Sequence, residues 1–196
     1  DGAHYTAGAT AGDGSTWAWD GADDMTLNGY NGGYIAAGGK LNVSYEGNNT
    51  VANEYGNGIS VENEGAELNI SGTGTLTATA EGNALYSEGD MTISGTGTVN
   101  ATGDVSGIYT QNDLSINTSG AVTAKGARGE GICSDGDITI TGGGTVDACS
   151  ERDCGVVAKE TLTVSNSTLT AQGFGSGIYA FDGLTIDAAT VRAYAY

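Results

Sequence analysis

GIYTQNDLSINTSGAVTAKG, residues 107–126 of the 196-residue chain, is the stretch that decides the fold. Its apolar residues are thinly spread: Ile108, then Leu114 and Ile116, then Val122. Gly, Asn, Ser and Thr separate them. A buried helix needs an apolar stripe at a 3.6-residue period, and a half-buried strand needs steady alternation. This stretch offers neither, but it recurs. The pair Leu114/Ile116 has counterparts at Leu41/Val43, Leu68/Ile70, Met91/Ile93, Ile138/Ile140, Leu162/Val164 and Leu184/Ile186. From Leu68 onward the steps are 23, 23, 24, 24 and 22 residues. An aliphatic residue stands six positions before most pairs, at Ile35, Leu85, Ile108, Ile132, Val156 and Ile178. Ile59 stands nine before its pair, which places a three-residue insertion in VENEGAE. A third column follows at Leu76, Val99, Val122, Val146, Leu169 and Val191, with Ala two residues on.

Columns in phase over six units predict three short strands per unit, joined by Gly-rich corners. One unit cannot bury so few apolar groups. Stacked units can, because each column then becomes a continuous inner ladder. The sequence therefore predicts an all-β protein: a right-handed, single-stranded parallel β-helix of about six to seven coils. Residues 31–196 form the coils, and residues 1–30 form an N-terminal cap with Met25/Leu27 as a degenerate first rung. Trp17 and Trp19 are expected to cover the open end, which would otherwise expose an unpaired sheet edge. At the far end, VRAYAY shows no obvious cap: either Tyr194 and Tyr196 serve, or the natural chain continues.

Composition agrees. There are 35 Gly and no Pro, so corners can adopt positive φ and interior strands keep every N–H. The net charge is −18, from 24 Asp and Glu against six Lys and Arg. A nucleic-acid partner needs a basic face, which this balance does not provide. No apolar run approaches a membrane span. The chain begins at Asp1 without a signal peptide and reads as a mature or excised fragment.

The segment STWAWDGADDMTLNGYNGGYIAAGGKLNVSYEGNNTV, followed by repeats such as LNISGTGTLTATA and MTISGTGTVNATG, resembles carbohydrate-binding β-helix domains of clostridial and related gut bacterial surface proteins. Their coils look like those of pectate lyases. The resemblance covers nearly the whole chain. It implies an extracellular or cell-surface protein that binds plant-type or acidic polysaccharide or a cell-wall glycan, with calcium on the coils. It carries over no catalytic residue.

If Ile108 points inward, Tyr109 points outward. The aligned outward column reads Ala36, Ser60, Tyr86, Tyr109, Cys133, Val157 and Tyr179. Tyr86 and Tyr109 fall on adjacent coils, roughly 5 Å apart. Tyr86, Tyr109 and Tyr179 are the expected sugar-binding residues, since exposed rings suit the C–H face of a sugar. The other reading is an aromatic ladder that stiffens the sheet. Just before the apolar pairs lie Glu67, Asp90, Asp113 and Asp137, with Glu88, Asp135, Glu160 and Asp182 nearby. Stacked carboxylates repel, and calcium would relieve this, so Asp90, Asp113 and Asp137 are the candidate metal ligands. A solvated acidic edge is the alternative.

Lys125, Arg128 and Arg152 gather at the third corner, where pairing with Glu130 and Glu151 is expected. His4 stands alone and is not expected to be a ligand. Cys149 and Cys154 flank one corner, which makes a local disulfide plausible. Cys133 is expected to be an outward, reactive thiol. A lyase would need a basic residue beside an acidic site, and none aligns with the tyrosines. Hydroxyls on the third strand are too irregular for an ice-binding array. The sequence thus favours non-catalytic carbohydrate binding by a monomer. A structural spacer solenoid is the main competitor, and polysaccharide lyase activity the lesser one.

Overall fold

The computed structural model describes the backbone of residues 3–4 and 12–13, and residues 16–196 in full. The side chain of His4 lies outside the described residues. Parallel strands stack as a β-solenoid of about seven turns, with no helix among the described residues. Three sheets line it. Sheet A is built from three-residue strands such as Ile59–Val61, Leu85–Ser87, Ile108–Thr110, Ile132–Ser134 and Val156–Ala158. Sheet B carries the apolar pairs, in strands such as Leu68–Gly72, Met91–Gly95 and Leu114–Thr118. Sheet C holds the third column, in strands such as Thr75–Ala80, Thr98–Gly103 and Ala121–Gly126.

The register follows the repeat. Leu85 pairs with Ile59 on one side and Ile108 on the other. Leu68, Met91, Leu114 and Ile138 align, as do Leu76, Val99, Val122 and Val146. These columns are buried, so each inner ladder is the hydrophobic core. The insertion in VENEGAE sits in the corner between Val61 and Leu68, and both flanking strands keep their register.

Three local departures are instructive. Met25 pairs with Val43 and Leu27 with Tyr45, so the first rung is shifted by one inward position from Leu41/Val43. Trp17–Trp19 runs antiparallel to Asp24–Asn28, and Trp19 is buried. A reversed strand is therefore the sheet B neighbour of that rung. Asn49 takes the inward place aligned with Leu76 and is buried. Its side chain is satisfied there, accepting from Tyr30 N at 2.9 Å and donating to Glu46 O at 2.8 Å.

Glycines at the corner between sheets B and C make room for one large side chain. Tyr45 is buried, and a Cβ on Gly72 would sit 2.6 Å from its ring. A Cβ on Gly97 would lie 2.9 Å from its hydroxyl. The ring thus spans the next two coils, which is why those positions carry no side chain.

At the far end, Tyr196 folds back and donates its hydroxyl to Ser150 O at 2.6 Å. Leu184 and Ile186, inward in register, are 46% and 50% exposed on this last rung.

Candidate functional site

The outer face of sheet A differs from the other two. Its outward residues Ala36, Ser60 and Cys133 are buried although they point away from the core. Neighbouring side chains cover the column at these points, so it forms a sunken floor.

Tyr86 and Tyr109 stand in register on this floor. Their rings stack on each other, with centroids 5.8 Å apart and planes inclined at 19°. The rings therefore stack, as in the ladder reading, rather than stand as separate exposed rings. Each ring spends one face on the other, and the pair offers its edges and its two outer faces. Those outer faces look toward Ser60 on one side and Cys133 on the other. Tyr179 lies beyond Cys133 and Val157 and is 49% exposed, so the structure does not gather it with the pair.

One wall is a second outward column, two residues after the first: Glu62, Glu88, Gln111, Asp135 and Lys159. Each directly follows its sheet A strand, so alternation brings it back to the outer face. Its members tie down the floor. Ser60 Oγ donates to Glu62 Oε1 at 2.9 Å. Tyr86 donates its hydroxyl to Glu88 Oε1 at 3.3 Å and accepts from Gln111 Nε2 at 2.9 Å. Tyr109 donates to Asp135 Oδ2 at 3.1 Å, and Lys159 Nζ meets Asp135 Oδ1 at 2.7 Å. On the opposite wall Ser106 Oγ donates to Glu130 Oε2 at 3.1 Å.

Sequence reading missed Gln111 and Lys159 and placed Glu88 and Asp135 only near the acidic column. It also held that no basic residue meets the tyrosines, whereas Lys159 reaches the Tyr109 partner from the next coil. Reading the column two residues beyond the tyrosines would have found all four.

The field in the groove is negative. Burial, and then the Asp135 carboxylate, raise the Tyr109 hydroxyl well above its ordinary range. Burial, then Glu88, raise that of Tyr86. The hydrogen bond to Asp135 keeps Lys159 protonated above its ordinary value. Burial pushes the Cys133 thiol up to about 12, with Glu130 and Asp135 adding to it and Lys159 opposing. Cys133 is thus outward, as expected, but it is 2% exposed and is not the reactive thiol predicted.

The expected Cys149–Cys154 disulfide is also absent, and all three cysteines are free. The two thiols face different neighbours. Cys149 lies in the strand Thr145–Ser150 and meets the Tyr196 hydroxyl. Cys154 sits in the next corner against Asp153 and Glu130. Arg128 pairs with Asp104 of the preceding coil rather than with Glu130, because the corners stack in register.

The acidic corner column has a job within the fold. Asp90 Oδ1 accepts from Asp113 N at 3.2 Å, and Asp113 Oδ1 from Asp137 N at 2.9 Å. Asp137 Oδ1 accepts from Thr161 N at 2.9 Å and Thr161 Oγ1 at 2.6 Å. Each carboxylate caps the coil that follows. Among the described residues no three Asp, Glu, His or Cys side chains converge on a point where they could share an ion. Asp90, Asp113 and Asp137 line a shallow hollow with Thr92, Ser115 and Thr139 instead. A larger hollow, about 480 Å³, lies on sheet B among Asp24, Asn42, Asn69 and Ser71, and it contains no aromatic ring.

A family model described as a carbohydrate-binding domain-containing protein matches residues 104–191, a little under half of the chain. The match includes Tyr109, Gln111, Asp135 and Lys159, and it fits the stacked parallel coils. Neither the curated proteins nor the solved structures yield a match.

Proposed function

We propose that the outer face of sheet A is a non-catalytic carbohydrate-binding groove centred on Tyr86 and Tyr109. One observation carries this reading. Two stacked rings lie on a sunken floor, with both hydroxyls held by Glu88, Gln111 and Asp135. The ring edges and outer faces suit the apolar C–H surface of a sugar. The fixed carboxylates and the amide suit its hydroxyls, and few groups so placed are what orient a ligand. The family match over residues 104–191 supports the same class of ligand.

The protein is proposed to act outside the cell or at its surface, as a monomer. Calcium enters this reading only as a bridge between the acidic wall and a polyuronate, since like charges otherwise repel. Neutral glycans need none. A glycan array, run with the folded protein with and without calcium, tests the proposal. Capture of neutral oligosaccharides in both conditions is expected. Failure to capture any glycan in either condition would leave the spacer reading in its place.

A further inference from the structure

The floor and wall columns of sheet A run on past the paired rings, and on the last coil both turn aromatic. The backbone keeps one register throughout. Glu88 N donates to Val61 O, Gln111 N to Ser87 O, Asp135 N to Thr110 O, Lys159 N to Ser134 O and Phe181 N to Ala158 O. Phe181 is therefore the wall residue of the last coil, and Tyr179, paired with Val157, is its floor residue. Earlier coils carry charged or amide groups on the wall, from Glu62 to Lys159. Here the wall carries a ring that is 71% exposed, beside a floor ring that is 49% exposed. Leu184 and Ile186 are exposed because they face inward at an open end. Tyr179 and Phe181 lie on the outer face and keep it whatever lies beyond the last coil.

From Tyr109 the floor passes through Cys133 and Val157 to Tyr179. Three strand spacings separate the two tyrosines, roughly 14 Å, the length of about three pyranose residues. No ring stands on the floor between them. On the wall between them Asp135 is paired with Lys159 at 2.7 Å, so this span carries no net charge. The Lys159 side chain is 56% exposed, and an ammonium has three N–H donors, so donors remain for sugar hydroxyls.

Resting on the reading of this face as a sugar site, we propose that Tyr179 and Phe181 form a second aromatic subsite. The ligand is then an uncharged polysaccharide chain lying along the solenoid axis. One sugar sits at the Tyr86–Tyr109 pair, another at Tyr179 and Phe181, and Lys159 donates to hydroxyls of those between. Once a chain spans both subsites, its second contact is intramolecular, so affinity rises with length.

The test is isothermal titration of the whole chain, in chelator, with xylo-, manno- and cello-oligosaccharides from disaccharide to hexasaccharide. In the series that binds best, affinity should step up about tenfold between the trisaccharide and the pentasaccharide. Tyr179→Ala with Phe181→Ala should abolish that step and leave trisaccharide affinity unchanged, with circular dichroism confirming the fold. Phe174→Ala with Tyr194→Ala removes two exposed rings from the sheet C side of the same coil and should leave the step intact. Equal affinity at all lengths would overturn the second subsite. So would a step that survives the Tyr179 and Phe181 changes, a loss equal at every length, or a step lost equally in the Phe174 and Tyr194 variant. In each of those cases the site at Tyr86 and Tyr109 would stand. If none of the series bound at any length, the sugar-site reading would fall with the proposal.

Discussion

At the scale of single residues, Cys133 shows how far an outward position can differ from an exposed one. It occupies the same column as Tyr109 but lies 2% exposed beneath the walls of the groove. Reactivity needs the thiolate. With the thiol pushed up to about 12, very little thiolate exists at neutral pH. Native protein should therefore leave Cys133 unmodified by a maleimide, and denatured protein should modify it at once, as read by peptide mass spectrometry. Rapid native labelling at Cys133 would mean that the groove floor is open. Gly72 makes a second prediction. A Cβ there would lie 2.2 Å from Tyr45 O, so Gly72→Ala must displace backbone as well as ring. A loss of about 1–3 kcal/mol in urea unfolding is expected, as for overpacking elsewhere. An unchanged midpoint would show that Tyr45 does not fill the corner.

At the scale of elements, the carboxylates proposed as metal ligands also form a capping ladder. Thr161 holds Asp137 below its ordinary pKa, through its hydroxyl and its amide. A depressed folded pKa contributes stability above the unfolded value, roughly 3.9, and that stability is lost as pH falls through the folded pKa. Asp137→Asn should thus lower the melting temperature at pH near 7, and the difference should shrink on acidification below about 4. A difference independent of pH would remove the charge from the account. If the ladder alone accounts for these carboxylates, chelator should not move the melting temperature of the free protein; among the described residues no three Asp, Glu, His or Cys side chains converge. A clear drop would restore calcium to the corners, since an ion that binds only the native state stabilises it.

What was legible in the sequence divides along the same line. The inner columns could be read because burial enforces a period, and a one-residue slip would turn every apolar group outward. The Tyr86 and Tyr109 positions followed from that register. The stacking of their rings did not, since it depends on rotamers. Nor did the Lys159–Asp135–Tyr109 chain, which joins three coils through residues that no hydrophobic period constrains.

At the scale of the molecule, stability is a sum over neighbouring coils, and it should be least where a coil has one neighbour. The strands Ile178–Ala180, Gly183–Asp187 and Thr190–Ala195 pair on one side only, and Leu184 and Ile186 are half exposed. Hydrogen exchange should find this coil least protected and the coils around Leu114 and Ile138 most protected. Uniform protection would contradict additive stacking. The same stacking of the inner coils holds in place the Tyr86–Tyr109 pair and its wall, the proposed sugar site. The most direct test of that claim is the affinity of the double variant Tyr86→Ala with Tyr109→Ala for the glycan that the native chain binds best, with circular dichroism confirming an intact fold. Each ring that acts as an anchor is worth roughly 1 kcal/mol or more, so the pair should cost at least about tenfold in Kd. Unaltered affinity in a folded double variant would make the tyrosines a structural ladder and place any sugar site elsewhere on the solenoid.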